Sequence, residues 1–158
     1  MEDIEKFVCN PEYVIDWPIA NNMTALMVAA SEGTELTLQL ILNQQPNLNI
    51  VDTIGRSALH FACAAGKSEN ITLLLQHYPY NKDLRTNGGN TPLLLAMKSG
   101  SIFAMVACLN FGCNPFLENG LGETPLSAAR DFPNVDGANF EEYILQAIES
   151  WETQAINL

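Results

Sequence analysis

The sequence predicts an all-α solenoid of stacked helix-turn-helix units with hairpin-like loops between them. The first observation behind this is a Ser/Thr-led motif whose Ser or Thr recurs at positions 24, 57, 91 and 124. The second is a glycine nine residues after the first three of these positions, at Gly33, Gly66 and Gly100. A repeat at about 33 residues indicates copies of one supersecondary unit packed side by side. Such a stack presents an extended surface.

The motif marks the start of the first helix of each unit. A Ser or Thr directly before an apolar residue caps a helix by accepting a hydrogen bond from an unpaired amide. Pro92 and Pro125 suit the first helical position, where no N–H is needed. A leucine and an alanine three residues later then share one helix face. We expect a buried row of leucines between units, formed by Leu26, Leu59, Leu93 and Leu126.

Glycines delimit each first helix, and an apolar helix follows. The glycine nine residues after each of the first three caps is expected to end the helix in left-handed geometry. Glycines in the turn before the cap are expected to have positive φ; they are Gly55, Gly89 and Gly122. Second helices are predicted at residues 36–42, 71–75 and 102–109.

Both ends of the chain depart from the repeat. Residues 3–8 have apolar side chains at helical spacing and predict a half-repeat packed on the open end. Near the other end, Pro133 is expected to end a first helix. Asn139 and Glu142 form a capping box for a closing helix that reaches about Trp151. With Met1 at the start, the closing helix and short tail favour a small complete protein over a fragment of a scaffold.

These patterns divide the chain into six segments. We predict an N-terminal capping segment, three repeats, a degenerate fourth repeat with the closing helix, and a tail. Their bounds are 1–18, 19–51, 52–85, 86–118, 119–151 and 152–158.

The unit resembles the ankyrin repeat, whose motif reads roughly D-x-x-G-x-T-P-L-H-x-A-x-x-x-G, then an apolar helix and G-A-D-x-N. The second unit carries Asp52, Gly55, Ser57, Ala58, Leu59, His60, Ala62 and Gly66. The third unit carries Gly89, Thr91, Pro92, Leu93, Ala96 and Gly100. The fourth unit carries Gly122, Thr124, Pro125, Leu126 and Ala129. The first unit carries Thr24, Leu26, Ala29 and Gly33. The resemblance implies an ankyrin-repeat solenoid capped at both ends. It also implies that His60, alone in the motif's histidine position, bridges neighbouring loops.

Cysteine usage and the chain start favour an intracellular protein. The four cysteines form no C-x-x-C pair; they are Cys9, Cys63, Cys108 and Cys113. Buried free thiols are the favoured interpretation, with a zinc site or a redox switch as the alternatives. The acidic start lacks the features of a secretory signal, and no apolar run reaches the roughly 18 to 20 residues of a membrane span. We therefore expect a cytoplasmic protein without membrane contact, the nucleus being the alternative.

Negative charge is concentrated at the two ends. The net charge is −11, of which residues 1–16 carry −4, residues 17–117 carry zero and residues 118–158 carry −7. Acidic ends keep an open stack soluble; the alternative is that the C-terminal acids steer a basic partner. Direct nucleic-acid binding is not expected, because phosphate recognition needs clustered Lys and Arg.

No catalytic motif is found in the sequence. It has no G-x-S-x-G, phosphate loop or H-E-x-x-H motif, and its carboxylates are scattered. We expect a non-enzymatic adaptor that holds neither a cofactor nor a metal.

By the resemblance, the partner-binding surface is the concave face, formed by loop tips and the exposed side of the first helices. The tip positions are Met23, Thr53, Ile54, Arg56, Asn87, Asn90, Leu121 and Glu123. The first-helix positions are Glu32, Lys98, Asp131 and Phe132. An apolar centre with a polar rim is typical of an interface, although scattered apolar residues occur on any surface. Other aromatic side chains are expected to pack under loops; they are Trp17, Tyr78, Tyr80, Phe111 and Phe116.

The expected function is recognition of another protein, as a monomer or as a subunit of a hetero-complex. One narrower hypothesis is an inhibitor similar to small ankyrin-repeat kinase inhibitors. The other is a chaperone or assembly subunit whose acidic C-terminal end holds a basic client. A salt titration separates them, because binding of a basic client weakens steeply with ionic strength.

Overall fold

The computed structural model describes residues 14–130 and 140–156. Within these residues, eight α-helices follow one another with no strand between them. They are α1 (Ala25–Glu32), α2 (Glu35–Leu42), α3 (Ala58–Ala64), α4 (Ser68–His77), α5 (Pro92–Lys98), α6 (Ile102–Asn110), α7 (Pro125–Arg130) and α8 (Phe140–Ile156). A short 3₁₀ turn spans Pro79–Asn81. The predicted all-α class is confirmed.

The helices pack in two layers. The first helices form one layer, in which α1 contacts α3, α3 contacts α5 and α5 contacts α7. The second helices form the other, in which α2 contacts α4, α4 contacts α6 and α6 contacts α8. Each first helix also contacts the second helix of its own unit. This is the predicted stack of helix-turn-helix units.

The predicted leucine row lies between the units. Leu26, Leu59 and Leu93 are buried, and Leu126 is half-buried against the same core. Ala29 and the equivalent alanines of the next two units are fully buried. Small side chains at these positions allow the close approach of neighbouring helices that dense packing requires. The fourth leucine lies in α7, the last of the four first helices described, and is less buried than the other three.

The predicted helix caps are confirmed in part. Thr91 Oγ1 accepts a hydrogen bond from the Leu94 amide at 3.2 Å, and Thr124 Oγ1 accepts one from the Ser127 amide at 3.1 Å. Pro92 and Pro125 each occupy the first helical position. The side chain of Thr24 makes no cap hydrogen bond. Ser57 forms a capping box with His60, whose Nδ1 lies 2.9 Å from Ser57 Oγ.

The glycine after α1 differs from its equivalents. Gly66 and Gly100 have φ of 68° and 74°, as predicted. Gly33 has φ of −69° and ψ of 162°, so the predicted left-handed geometry is wrong there. Its requirement for glycine is steric, because an added Cβ would lie 2.6 Å from Ala29 O. The glycines in the preceding turns have positive φ, as predicted; they are Gly55, Gly89 and Gly122.

A buried asparagine from the next unit completes the end of α1. Asn70, on α4, donates through Nδ2 to Ala29 O at 3.3 Å, to Ala30 O at 3.1 Å and to Gly33 O at 3.2 Å. The last carbonyls of a helix have no partner within it, so Asn70 both satisfies them and joins two repeats. This role of Asn70 was not predicted from the sequence. The available signal was a polar residue directly before the apolar run of α4.

The other helices lie where they were predicted but differ in length. Helix α4 begins at Ser68 rather than at residue 71, and α8 continues past Trp151 to Ile156. The predicted N-terminal half-repeat, the break at Pro133 and the cap at Asn139 lie outside the described residues. None of the described helices has the length and apolar character needed to cross a bilayer.

Candidate partner-binding face

Three loops before the first helices share one closed geometry. In each, the amide of the first residue donates to the carbonyl four residues later, at 2.9 to 3.0 Å. The pairs are Asp52 with Arg56, Thr86 with Asn90, and Asn119 with Glu123. A tight turn with a positive-φ glycine lies inside each closure. The loops are therefore repeated structural units.

The first side chain of each loop folds back onto the loop. Asp52 Oδ1 accepts from the amides of Ile54 and Arg56 at 3.1 and 2.8 Å. Asn119 Oδ1 makes the equivalent bonds to Leu121 and Glu123 at 2.9 and 3.0 Å. Short polar side chains commonly stabilise turns in this way. This role was not predicted from the sequence, although Asp52, Thr86 and Asn119 recur at the repeat spacing.

Backbone hydrogen bonds join each loop tip to the next. The amide of Thr53 donates to Asn21 O at 3.0 Å, and the amide of Asn87 donates to Ile54 O at 2.9 Å. The amide of Gly120 donates to Gly88 O at 2.8 Å. The four tips thus form one continuous hydrogen-bonded edge.

His60 makes the bridge that the resemblance implied. Its ring is fully buried, and its Nε2 donates to Asn90 O of the next loop at 3.1 Å. Its Nδ1 accepts from the Ser57 amide at 3.1 Å. Burial lowers the pKa of His60 to about 4, so the ring is neutral near pH 7.

The candidate residue Arg56 is held within its own repeat. Its Nε lies 2.8 Å from Asp52 Oδ2, and its guanidinium carbon lies 4.3 Å from the centre of the Phe61 ring. Burial opposes ionisation of Asp52, but hydrogen bonds from the amide and side chain of Arg56 outweigh it and lower the pKa of Asp52. A substitution at Arg56 therefore changes the loop as well as its surface.

Two other candidates, Lys98 and Glu123, form an ion pair with each other. Lys98 Nζ lies 2.5 Å from Glu123 Oε2, joining the end of α5 to the next loop. Asn119 Nδ2 donates to the same oxygen at 2.7 Å. The hydrogen bonds from Lys98 and Asn119 lower the pKa of Glu123, so this carboxylate is ionised at neutral pH.

The remaining candidates are mostly exposed. Leu121 is 84% exposed and Ile54 is 50% exposed, while Met23 is half-buried against the core. Other exposed candidates are Glu32, Thr53 and Asn87. Asn90 is half-buried, with its Oδ1 accepting from Asn119 Nδ2 at 2.9 Å. Asp131 and Phe132 lie outside the described residues.

The aromatic residues lie differently from the prediction. Trp17, Tyr80 and Phe116 are exposed rather than packed under loops. Tyr78 and Phe111 are half-buried, and Phe111 packs against the core. The exposed rings lie in connecting segments, where the chain passes over the surface and packing is limited.

Three cysteines are buried free thiols. Cys63 Sγ and Cys108 Sγ lie 3.5 Å apart in the core, and Cys113 Sγ donates to Lys82 O at 3.7 Å. The hydrogen bond with Cys108, together with burial, raises the pKa of Cys113. Over the described part of the chain, no three His, Cys, Asp or Glu side chains are grouped as metal ligands would be. Cys9 is outside that part.

Comparison with known proteins identifies relatives of this chain. Human neurogenic locus notch homolog protein 1 is 35% identical over 82 residues, which cover 52% of this chain and 3% of that protein. Mouse ankyrin repeat domain-containing protein 53 is 31% identical over 107 residues, covering 65% of this chain and 22% of that protein. Its human counterpart is 32% identical over 110 residues, covering 66% of this chain and 21% of that protein. The chain thus spans less than a quarter of the length of each relative.

The family assignment follows from a match to a family model. A family model of ankyrin repeats in three copies matches residues 3–86, which is just over half of the chain. The matched region contains His60 and the first two helix pairs. The chain belongs to the ankyrin-repeat family.

Proposed function

We propose that this chain is a non-catalytic adaptor that binds a protein partner through its concave face. Ankyrin repeats are general protein–protein interaction modules. The observation that carries the proposal is the exposure of Ile54 and Leu121 at loop tips that hydrogen bonds hold in place. A preformed apolar contact loses little conformational entropy when it binds, which favours affinity.

The charges around these tips are already paired. Arg56 pairs with Asp52, and Lys98 pairs with Glu123. The exposed pair of Lys98 and Glu123 contributes little to stability, and paired charges attract a charged partner weakly. We therefore expect apolar contacts to dominate, with Thr53 and Asn87 supplying hydrogen bonds at the rim. Binding through this face should depend weakly on salt.

Substitution at the tips tests the proposal. A partner captured by the wild-type chain is purified, and its dissociation constant is measured by titration calorimetry. The Ile54→Ser and Leu121→Ser double variant should bind at least about tenfold more weakly, since a few buried apolar anchors carry most interface energy. Tyr80→Ser is the matched control, because Tyr80 is 87% exposed and lies in the 3₁₀ turn rather than at a loop tip. Loss of binding in the control alone would contradict the proposed face.

A second candidate function has its own supporting observation. Exposed Glu142, Glu149 and Glu152 recur along α8 at spacings that place them on one helix face. This acidic face suits a basic client, which a chaperone or assembly subunit would hold. Raising the salt concentration should then weaken the same complex steeply. An unchanged dissociation constant would exclude this function in favour of the apolar tips.

A further inference from the structure

A groove lies on the second-helix layer, between α4 and α6. Its volume is about 410 Å³. Leu73 of α4 and Val106 and Ala107 of α6 give it apolar walls, and Phe103 borders it. Glu35 and Glu69 also line it. Among the described residues that line the groove, none is Lys or Arg.

A row of repeat-equivalent residues follows the same layer. Leu36, Glu69 and Phe103 are separated by 33 and 34 residues, so they occupy the same position in successive repeats. Leu36 is 69% exposed and Phe103 is 77% exposed, and Glu69 is exposed between them. Single exposed apolar residues are ordinary on a protein surface. Two large ones aligned beside a groove, with a carboxylate between them, form an ordered apolar–acidic–apolar pattern.

We propose that the second-helix layer, at this groove and along the row of Leu36, Glu69 and Phe103, binds an amphipathic helix of another protein, one that carries a Lys or Arg between two bulky apolar residues. The occupant follows from charge complementarity, because the groove presents two carboxylates and no cation. The pKa of the Glu69 carboxyl is lowered, first by a hydrogen bond from the backbone amide of Glu69 and then by one from Ser68 Oγ at 3.0 Å. Its carboxylate is therefore charged at neutral pH.

The dimensions fit a short helix lying across the second helices. Packed helices are about 8 to 10 Å apart, so Leu36 and Phe103, two repeats apart, are separated by about 16 to 20 Å. At 1.5 Å per residue, this distance corresponds to about 11 to 13 residues of helix. A helix of about three turns thus reaches both apolar residues and places a central cation over Glu69. An α-helix also makes its backbone hydrogen bonds internally, so it can bind a surface that offers side chains and no strand edge.

A second copy of this chain fits the groove less well. A symmetric dimer places the same patch on both sides of the contact, which would bring Glu35 and Glu69 of the two copies together. Like charges at an interface are unfavourable. The groove is therefore a site for a different protein, and it allows the adaptor to hold two partners, one on each helix layer.

Two synthetic helical peptides test the inference on the full chain. One has leucines on one face and lysines along its margin, and the other has glutamate in place of every lysine. Fluorescence anisotropy measures their binding to wild type, Glu69→Lys, Phe103→Ser and the control Leu121→Ser, with circular dichroism verifying the fold. Wild type should bind the lysine peptide and not the glutamate peptide. Glu69→Lys and Phe103→Ser should each weaken lysine-peptide binding at least about tenfold, and Leu121→Ser should leave it unchanged.

The charge-swapped pair gives the most specific readout. Glu69→Lys should gain binding of the glutamate peptide, a result that misfolding does not produce. The inference is overturned if wild type does not bind the lysine peptide, or if Phe103→Ser binds it as wild type does. Sedimentation showing a dimer of the wild-type chain that Phe103→Ser abolishes would assign the groove to a second copy and also overturn it.

Discussion

Replacement of Asn70 tests how two neighbouring repeats are joined. Asn70 is buried on α4, and its amide group donates to three carbonyls at the end of α1 at 3.1 to 3.3 Å. After Asn70→Ala, Ala29 O still accepts from the Gly33 amide at 3.0 Å. The carbonyls of Ala30 and Gly33 lose the Asn70 donor. Each buried acceptor that loses its partner costs about 1 to 3 kcal/mol, so for two carbonyls we expect a loss of about 2 to 6 kcal/mol in unfolding free energy.

The Asn70→Asp variant should be less stable than Asn70→Ala near neutral pH. Asn70→Asp places a buried carboxylate, which has no donor, against the same carbonyl oxygens. Burial and these oxygens raise the pKa of the introduced carboxyl above its unfolded value of about 3.9. A raised pKa means that the folded protein favours the protonated form, so the deficit grows as the pH rises above about 4. Below that pH the protonated carboxyl has a donor, and the deficit should shrink.

Urea denaturation followed by circular dichroism measures both effects. The deficit of Asn70→Asp relative to wild type should exceed that of Asn70→Ala at pH 7 and should narrow on acidification, while the Asn70→Ala deficit stays nearly constant. Asn110→Ala, at an exposed asparagine of α6, is the matched control and should change stability by less than about 0.5 kcal/mol. Equal stability of wild type and Asn70→Ala would refute the reasoning.

Four further predictions concern the core, the loop bridge, the turns and the thiols. Leu93→Ala should cost about 2 to 5 kcal/mol in urea denaturation, because it leaves a cavity between repeats; an unchanged midpoint would contradict the packing. Burial lowers the pKa of His60 from 6.5 to about 4. The neutral ring therefore contributes about 3 kcal/mol to the unfolding free energy above pH 6.5, and this contribution is lost as the pH falls to about 4. The stability gap between wild type and His60→Ala should narrow over that window, and a constant gap would disprove this. Gly33→Ala should destabilise more than Gly88→Ala in thermal unfolding, since a Cβ at Gly33 would lie 2.6 Å from Ala29 O whereas the nearest atom to a Cβ at Gly88 is 3.5 Å away; the opposite order would refute the steric argument. Cys113 should react with a thiol reagent only as fast as the protein opens, because its thiol is buried and its pKa is raised; rapid labelling of the folded chain would count against this.

The stacked-helix architecture was predictable from the sequence because its signals are local. Pro92 begins a helix because its ring presets φ and its missing N–H is not needed there. Gly55 and Gly89 adopt positive φ because their turns require it. The leucine spacing of about 33 residues places Leu26, Leu59 and Leu93 in one buried row once the units stack. Each of these properties belongs to a residue and its immediate neighbours, and the repeat multiplies it along the chain.

The candidate face was only partly predictable. The sequence analysis named Lys98 and Glu123 as separate positions, and the structure brings them 2.5 Å apart. It named Arg56 as a partner contact, and the structure shows it held by Asp52 and Phe61. These pairings depend on how loops and helix ends meet, which the motif does not specify.

The sequence by itself determined that the chain is a stack of helix pairs, where each first helix begins, and which leucines are buried. Only the tertiary structure decided how one repeat is fastened to the next and which large side chains remain exposed. Asn70 reaches Ala30, 40 residues away, and Phe103 stays exposed although it lies in an apolar helix. The physical reason is that a cap or a turn depends on adjacent residues. A bond between repeats, or the exposure of a ring, depends instead on distances that exist only after the units have packed.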